Sequence, residues 1–350
     1  MNPEAISSPL LHAFIGFEAA LRRLNPLAIP ELRNGLLVHV TPLEAVRESL
    51  LANDPHEGNQ HDRQELLRAC DLILDAIKRF GRGEDLEEAF TSALRAARKY
   101  CQAQEALFPL CGYSPEVSRY FAEPGTNTAL LSEKKAHIHE THEFHTGAVP
   151  DPYARGGYSL FIPEIYTPER TWPLVVALHG GNGHGRDFIW TWLREARSRG
   201  FVLLAPTSLG PTWSILNAEV DAKPLSRHLE EVYSLVNIDR SRILLTGMSD
   251  GGTFALAVGV SPDCPYQAIA PVSCVLPPAD MGYAKGRRLF WVHGAQDWMF
   301  PVSRTVQACQ DLARAGADIN LKIVHDLAHA YPREENDTIL RWFDPDLTII

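Results

Sequence analysis

The first third of the chain carries apolar residues at intervals of three and four, the spacing of one helix face. Two successive sets show it: Leu66, Cys70, Ile73 and Ile77, then Leu86, Phe90, Leu94, Ala97 and Cys101. Asp85 with Glu88 has the spacing of a capping box before the second set. The pattern predicts a helical hairpin, preceded by another helix over 10–21. Pro26 and Pro30 interrupt the stretch between them, which is left unassigned.

After about residue 131 the pattern changes to short aliphatic and β-branched runs that alternate with helical ones. The predicted strands are Ala136–Phe144, Tyr158–Ile162, Pro173–Leu178, Phe201–Ala205, Arg242–Thr246, Gln267–Ser273, Leu289–Val292 and Leu321–Val324. The predicted helices are Phe188–Arg197, Leu225–Val236, Gly252–Val260, Val302–Ala315 and Glu334–Phe343. Two leading strands followed by alternation predict a mostly parallel sheet with helices on both faces. We expect an α/β catalytic domain over residues 132–350, after a helical N-terminal region over 1–131.

Composition narrows the classes of function. Of the 350 residues, 45% are hydrophobic and 22% are charged, as in folded globular proteins. The net charge of −10 argues against nucleic acid as a partner, because phosphate binding needs clustered Lys and Arg. The N-terminus lacks the features of a signal peptide and no apolar run could span a bilayer, so we expect a cytoplasmic protein without membrane insertion. The six cysteines form no CxxC pair, which gives no sign of a zinc or redox site.

A short motif supplies a candidate nucleophile. The predicted strand Arg242–Thr246 runs into Gly247-Met-Ser-Asp-Gly251, and an apolar helix follows. Strand, G-x-S-x-G and helix in this order are the context of a nucleophile elbow, a strained turn that presents a serine hydroxyl. Ser249 is therefore the predicted nucleophile.

A serine nucleophile needs a base that an acid orients, and after such an elbow the acid precedes the histidine in the chain. Asp297 follows the strand Leu289–Val292 directly and is the expected acid. Two histidines compete for the base. His329 is favoured because it lies in a loop that can reach Ser249, whereas His325 continues a strand and is expected to be packed or hydrogen-bonded there.

The tetrahedral intermediate of acyl transfer needs two hydrogen-bond donors for its oxyanion. The glycine-rich loop His179–Gly185 follows the strand Pro173–Leu178, and we expect the backbone N–H of Gly181 to be one donor. The backbone N–H of Asp250, the residue after Ser249, is the expected second donor. A P-loop interpretation of these glycines fails because no G-K-[ST] follows them.

The Leu-His-Gly-Gly loop, the segment Asp239–Gly252, His293-Gly-Ala-Gln-Asp297 and Leu327-Ala-His329 resemble the phospholipase/carboxylesterase branch of the α/β hydrolases. They are also similar to polyhydroxybutyrate depolymerases and feruloyl-esterase-like enzymes. The resemblance covers about residues 136–347 and implies the α/β-hydrolase fold, with hydrolysis of a small-molecule carboxylic ester through an acyl-enzyme. Asp250 departs from it, since such families more often carry Gln, Ala, Asn or His there. The implied mechanism needs no metal and no organic cofactor.

Two other functions stay open: a serine peptidase of the prolyl-oligopeptidase type, and a non-catalytic binding protein on the same fold. Such peptidases usually carry a β-propeller, and the sequence shows no blade repeats.

Three residues are candidates for substrate contacts, because they lie in or next to loops that the predicted site uses: Trp213, His184 and Trp298. Trp213 could equally anchor a loop. The cluster His137, His139, His142 and His145 invites a metal site, but alternation along a strand puts these rings on opposite faces. The N-terminal helices could form a packing surface, a lid or a homo-oligomer contact.

Overall fold

A computed structural model describes residues 3–52, 60–132, 145–147, 153–278 and 280–350. The chain divides into two compact units, Met1–Glu133 and Lys134–Ile350. The boundary predicted near residue 131 lies close to this division. None of the helices among the described residues is long and apolar enough to cross a membrane.

The described part of the first unit is helical. Its helices are α1 (Pro3–Arg22), α2 (Ile29–Leu37), α3 (Val40–Ala52), α4 (Gln60–Arg79), α5 (Leu86–Leu107), α6 (Pro115–Tyr120) and α7 (Thr128–Ser132). The predicted hairpin is α4 and α5, and Asp85 caps α5 by accepting a hydrogen bond from the Glu88 backbone N–H at 2.8 Å. The α4 face that holds Cys70 and Ile73 is buried, as the spacing predicted. Aromatic rings complete this core, with Phe17 stacked on Tyr100 at 4.9 Å.

The stretch around Pro26 and Pro30 is helical despite its prolines. Pro26 opens a short 3-10 helix that Asn25 caps, and Pro30 lies in the first turn of α2. Proline is tolerated at a helix start because the amide it lacks has no partner inside the helix there. Helix α3, which follows, is a further element that the sequence pattern did not predict.

The second unit is built on a sheet that has eight strands among the described residues. Its strands are β1 (His145–Gly147), β2 (Tyr158–Phe161), β3 (Trp172–Leu178), β4 (Val202–Pro206), β5 (Ile238–Met248), β6 (Ala268–Val272), β7 (Arg288–Gly294) and β8 (Asp318–Val324). The strand order is β1-β2-β4-β3-β5-β6-β7-β8. Strand β2 pairs antiparallel with β1 and with β4, whereas the pairs from β4 through β8 are parallel. The mostly parallel sheet predicted from the sequence is therefore confirmed.

Helices lie between most of the parallel strands and after the last one. They are α8 (Gly185–Phe188), α9 (Leu193–Arg199), α10 (Glu219–Leu235), α11 (Asp250–Gly259), α12 (Val302–Arg314) and α13 (Asn336–Phe343). Every residue of β3 and of β4 is buried, so both faces of the sheet are covered at its centre. The carboxyl ends of the parallel strands share one edge, and the loops that leave them can meet there.

The prediction of a single helix over Phe188–Arg197 was wrong, because the chain there breaks into the end of α8, a 3-10 turn over Ile189–Thr191, and α9. Four residues close together in it are buried, and one face of a continuous helix could not bury them all: Ile189, Trp190, Trp192 and Leu193. The predicted strand Ala136–Phe144 lies outside the described residues.

Candidate active site

Ser249 occupies the turn between β5 and α11. Its backbone has φ 55° and ψ −122°, a conformation that costs free energy in a residue other than glycine. A hydrogen bond from the Ser249 N–H to Val272 O, 2.9 Å long, ties the turn to β6. The side chain lies at the carboxyl end of β5, where the sequence predicted the nucleophile.

The glycines around Ser249 are there because backbone passes close to them. A Cβ atom at Gly247 would lie 2.6 Å from the carbonyl carbon and oxygen of Gly251. A Cβ atom at Gly251 would lie 2.4 Å from the carbonyl oxygen of His179 and 2.5 Å from that of Leu178. Since both close contacts are with backbone, side chains at these two positions are excluded by the path of the chain.

His329 lies between Ser249 and Asp297. Its Nε2 is 3.0 Å from Ser249 Oγ, and its Nδ1 is 2.9 Å from Asp297 Oδ2. An ionised carboxylate only accepts hydrogen bonds, so Nδ1 carries the ring proton and Nε2 accepts from the serine hydroxyl. The three side chains form one hydrogen-bonded chain, in the arrangement that activates a serine.

Backbone hydrogen bonds hold the two loops that carry Asp297 and His329 together. The Gln296 N–H donates to Leu327 O at 3.0 Å, and the Ala295 N–H donates to Val324 O at 2.9 Å. A Cβ atom at Gly294 would lie 2.3 Å from Leu327 O, so the histidine loop crosses directly over this glycine. The relative position of acid and base is therefore set by main-chain contacts.

Asp297 is held as an acceptor by several donors. Its Oδ1 accepts from the backbone N–H groups of Met299 and Phe300, at 2.9 and 2.8 Å. Burial acts to raise the pKa of this carboxyl, but the hydrogen bonds from His329 and from the Phe300 N–H outweigh it and lower the pKa. The carboxylate is thus kept ionised beside the His329 ring.

His293 supports the acid loop, a role that the sequence analysis did not assign. Its Nε2 donates to Phe300 O at 2.9 Å, and its Nδ1 accepts from the Thr305 hydroxyl at 3.1 Å. Burial lowers the pKa of His293, so the ring stays neutral beside Asp297. The signal in the sequence was the position of His293 at the end of β7, four residues before Asp297.

His325, the alternative base, lies past the end of β8 in an exposed turn. The expectation that it would be a packed or hydrogen-bonded strand residue was therefore wrong. Strand β8 ends at Val324, where the chain turns back over Gly294, and this turn leaves the His325 side chain outside.

The glycine-rich loop after β3 runs beside Ser249. A Cβ atom at Gly180 would lie 3.5 Å from Ser249 Cβ, and one at Gly181 would lie 2.8 Å from Asp250 Oδ2. The loop is held open by Asn182, which has φ 56° and whose N–H donates to Pro211 O at 2.8 Å. Among the described residues, the N–H groups of Gly181 and Asp250 donate to no other backbone or side-chain group. Both N–H groups therefore remain available for a ligand.

Comparison with known proteins shows that part of the second unit is similar to a known family. Residues 215–343, which include Ser249, Asp297 and His329, match the phospholipase/carboxylesterase family. The second unit has the α/β-hydrolase fold. Its strand order, its elbow at Ser249 and the family match agree, and residues 134–350 are called the hydrolase unit below.

Individual relatives are distant. A probable feruloyl esterase C from Aspergillus niger is 27% identical over 160 residues, which are 44% of this chain and 59% of that protein. The chain thus matches less than two thirds of the length of this relative. Among solved structures, esterase PE8 is 21% identical with a TM-score of 0.44, over 53% of this chain and 97% of that one. A phospholipase/carboxylesterase from Dyadobacter fermentans is 19% identical with a TM-score of 0.42, over 52% and 95%.

The three candidate substrate contacts of the hydrolase unit lie in different surroundings. Trp213 is 3% exposed, donates from its indole N–H to His179 O at 2.8 Å and stacks on Phe254 at 4.9 Å. This geometry supports the loop-anchor alternative. His184 is buried and caps α8, its Nδ1 accepting from the Arg186 N–H at 3.1 Å. Trp298 is 45% exposed, and its ring lies 6.3 Å from that of His329, so it lies beside the site.

No group of three or more metal-ligating side chains occurs among the described residues. Three members of the histidine cluster, His137, His139 and His142, lie outside the described residues, and His145 begins β1. The expectation that these rings do not converge on one metal therefore stays a prediction. Thr212 is a further residue at the site that the sequence did not indicate. Its hydroxyl donates a hydrogen bond to Asp250, and this contact joins two loops that are far apart in the chain.

Proposed function

We propose that the protein is a serine hydrolase that cleaves carboxylic esters through an acyl-enzyme on Ser249. The observation that carries the proposal is the hydrogen-bonded chain from Ser249 through His329 to Asp297. The match of the same region to the phospholipase/carboxylesterase family supports an ester as the substrate.

In the proposed reaction His329 Nε2 takes the hydroxyl proton of Ser249, and Oγ attacks the ester carbonyl carbon. The N–H groups of Gly181 and Asp250 stabilise the oxyanion that forms. The bond to the alcohol oxygen then breaks, and His329 returns the proton to the leaving alcohol. Water attacks the acyl-enzyme in the same way and releases the acid. Asp297 holds the ring in the required tautomer and stabilises the imidazolium.

The test compares wild type with Ser249→Ala and with Ser261→Ala, a matched control at the opposite end of α11. Ser261 donates to Val258 O at 2.7 Å and belongs to no part of the site. We expect wild type and Ser261→Ala to release p-nitrophenol from acyl esters and to be labelled by a fluorophosphonate probe. Ser249→Ala should do neither.

Absence of both labelling and ester turnover in the wild type would contradict the proposal. Retention of turnover by Ser249→Ala would contradict the assignment of the nucleophile. Faster cleavage of prolyl amides than of esters would favour the peptidase alternative instead.

A further inference from the structure

The side chain of Asp250 is fixed against the loop that carries the proposed oxyanion donor. Its Oδ2 accepts a hydrogen bond from the Thr212 hydroxyl, and the oxygen atoms are 2.5 Å apart. A Cβ atom added to Gly181 would lie only 2.8 Å from the same Oδ2. The carboxylate is therefore held one residue from the nucleophile and in contact with Gly181.

Within the part of the chain that the structure describes, this carboxylate has no cationic partner. Among the described residues the Thr212 hydroxyl is its side-chain partner, and a neutral hydroxyl does not balance its charge. Asp297 differs, because it is buried and hydrogen-bonded to His329. Asp250 is partly exposed, so a group on a bound substrate can reach it.

The hydrogen bond from Thr212 does not require the charge of Asp250. Asparagine has a side-chain oxygen of the same reach that would accept the same hydrogen bond from Thr212. The charge also opposes the reaction of a neutral ester, because the oxyanion would form next to a negative group. The first turn of α11 favours a negative charge at Asp250. So close to Ser249, the same charge also acts on any charged group of a bound substrate.

We infer that Asp250 sets the charge preference of the site, favouring esters that carry an ammonium group near the scissile carbonyl and disfavouring anionic esters. The inference rests on the proposed ester hydrolysis. The attraction between unit charges a few ångströms apart near a protein surface is large enough to change kcat/KM by a factor of ten or more.

The experiment uses two series of esters with three members each. In the first, p-nitrophenyl esters share one linear acyl spacer that ends in a trimethylammonium, a tert-butyl or a carboxylate group. In the second, acetate esters carry the same three groups on the alcohol. The kcat/KM values are measured for wild type, Asp250→Asn and Asp263→Asn after subtraction of spontaneous hydrolysis. Asp263 is exposed and lies beyond the opposite end of α11, so its variant makes the same change in net charge.

In at least one series we expect wild type to prefer the cationic to the anionic ester by about 30-fold or more. Asp250→Asn should reduce this ratio at least about tenfold by raising the rate on the anionic ester. Salt at about 0.5 M should reduce the ratio in wild type but not in this variant, because it screens the charge of Asp250. Asp263→Asn should keep the wild-type ratio.

An Asp250→Asn ratio equal to that of wild type in both series would overturn the inference, as would an equal shift in Asp263→Asn. Turnover of the tert-butyl esters separates the two proposals. If wild type does not cleave them, nor either charged ester, the proposed function fails. If wild type cleaves them without a charge preference, only the role of Asp250 fails.

Discussion

At the scale of single residues, the site depends on contacts that the spacing of the chain does not show. His329 and His325 are four positions apart, yet one contacts both Ser249 and Asp297 and the other is exposed in a turn. The order of serine, acid and histidine along the chain narrowed the base to these two. The backbone path after β8 separates them.

We expect His329→Ala to reduce kcat for an ester about 10³-fold or more, because Ser249 would lose its general base. His325→Ala should stay within about threefold of wild type, since surface substitutions away from a site have small effects. Steady-state kinetics on p-nitrophenyl esters measures both variants. Loss of activity in His325→Ala with activity kept in His329→Ala would reverse the assignment.

At the scale of elements, the site is a junction where three segments of backbone meet. The end of β3, the turn after β5 and the start of α11 approach so closely that Gly247 and Gly251 have no room for a side chain. The loops that carry Asp297 and His329 meet in the same way at Gly294. These crossings give the three side chains of the proposed triad fixed relative positions.

Gly251→Ala is therefore expected to displace the His179 end of the glycine-rich loop, because its Cβ would overlap two carbonyl oxygens. A shift of about 1 Å at such a loop can cost 10²-fold in rate, and we expect at least that loss in kcat/KM. Thermal unfolding of the hydrolase unit should also occur at a lower temperature.

Gly35→Ala is the matched control. Gly35 lies in α2, and a Cβ there would meet no atom within 4 Å. Alanine is the better helix former, so this variant should keep wild-type activity and stability or gain up to about 1 kcal/mol. Wild-type kinetics in Gly251→Ala would contradict the account of the elbow.

At the scale of the whole molecule, the hydrolase unit buries neutral histidines that the unfolded chain can protonate. Burial lowers the pKa of His179 to about 3, and it also lowers the pKa values of His228 and His293. The Ser208 N–H donates to His179 Nε2 at 3.1 Å, which requires that nitrogen to be unprotonated. The described residues of the first unit include no comparable set of buried histidines.

The sign of the pH effect follows from these lowered values. Below about pH 6.5 the unfolded chain binds protons at these rings and the folded unit does not, so stability falls as pH falls. The loss for each ring is at most about 1.4 kcal/mol per pH unit until its folded pKa is reached. We expect the urea midpoint of the hydrolase unit to be lower at about pH 5.0 than at about pH 7.5, because the unfolded chain takes up protons between these two values.

Tryptophan fluorescence measures this unit alone, because all seven tryptophans lie after residue 133. His325→Gln should leave the pH dependence unchanged, since its ring is exposed. His179→Gln should weaken it, although this variant will be less stable at the higher pH. A midpoint that is the same at both pH values would contradict the prediction.

The periodicity of apolar residues was sufficient for the strands of the sheet and for the existence of the helices α4 and α5. On α5 the predicted apolar set is not the buried face, since Leu86 and Leu94 are each 50% exposed, and the buried residues of α5 in this region are Ala89, Ala93, Ala96 and Tyr100. The periodicity failed over residues 188–197, where apolar side chains on several faces are buried and the helix breaks. It also did not predict helix α3. The cytoplasmic location and a homo-oligomer contact through the N-terminal helices stay predictions.

By itself the sequence determined the fold class and pointed to the proposed nucleophile, because the motif around Ser249 combines a strand end, two required glycines and a helix start in one continuous segment. It also limited the acid and the base to residues that follow later strands. Only the tertiary structure decided which histidine reaches Ser249, that Trp213 is an anchor, and that Thr212 holds Asp250 against Gly181. Those contacts join loops far apart in the chain, and their distances depend on backbone paths that local pattern does not encode.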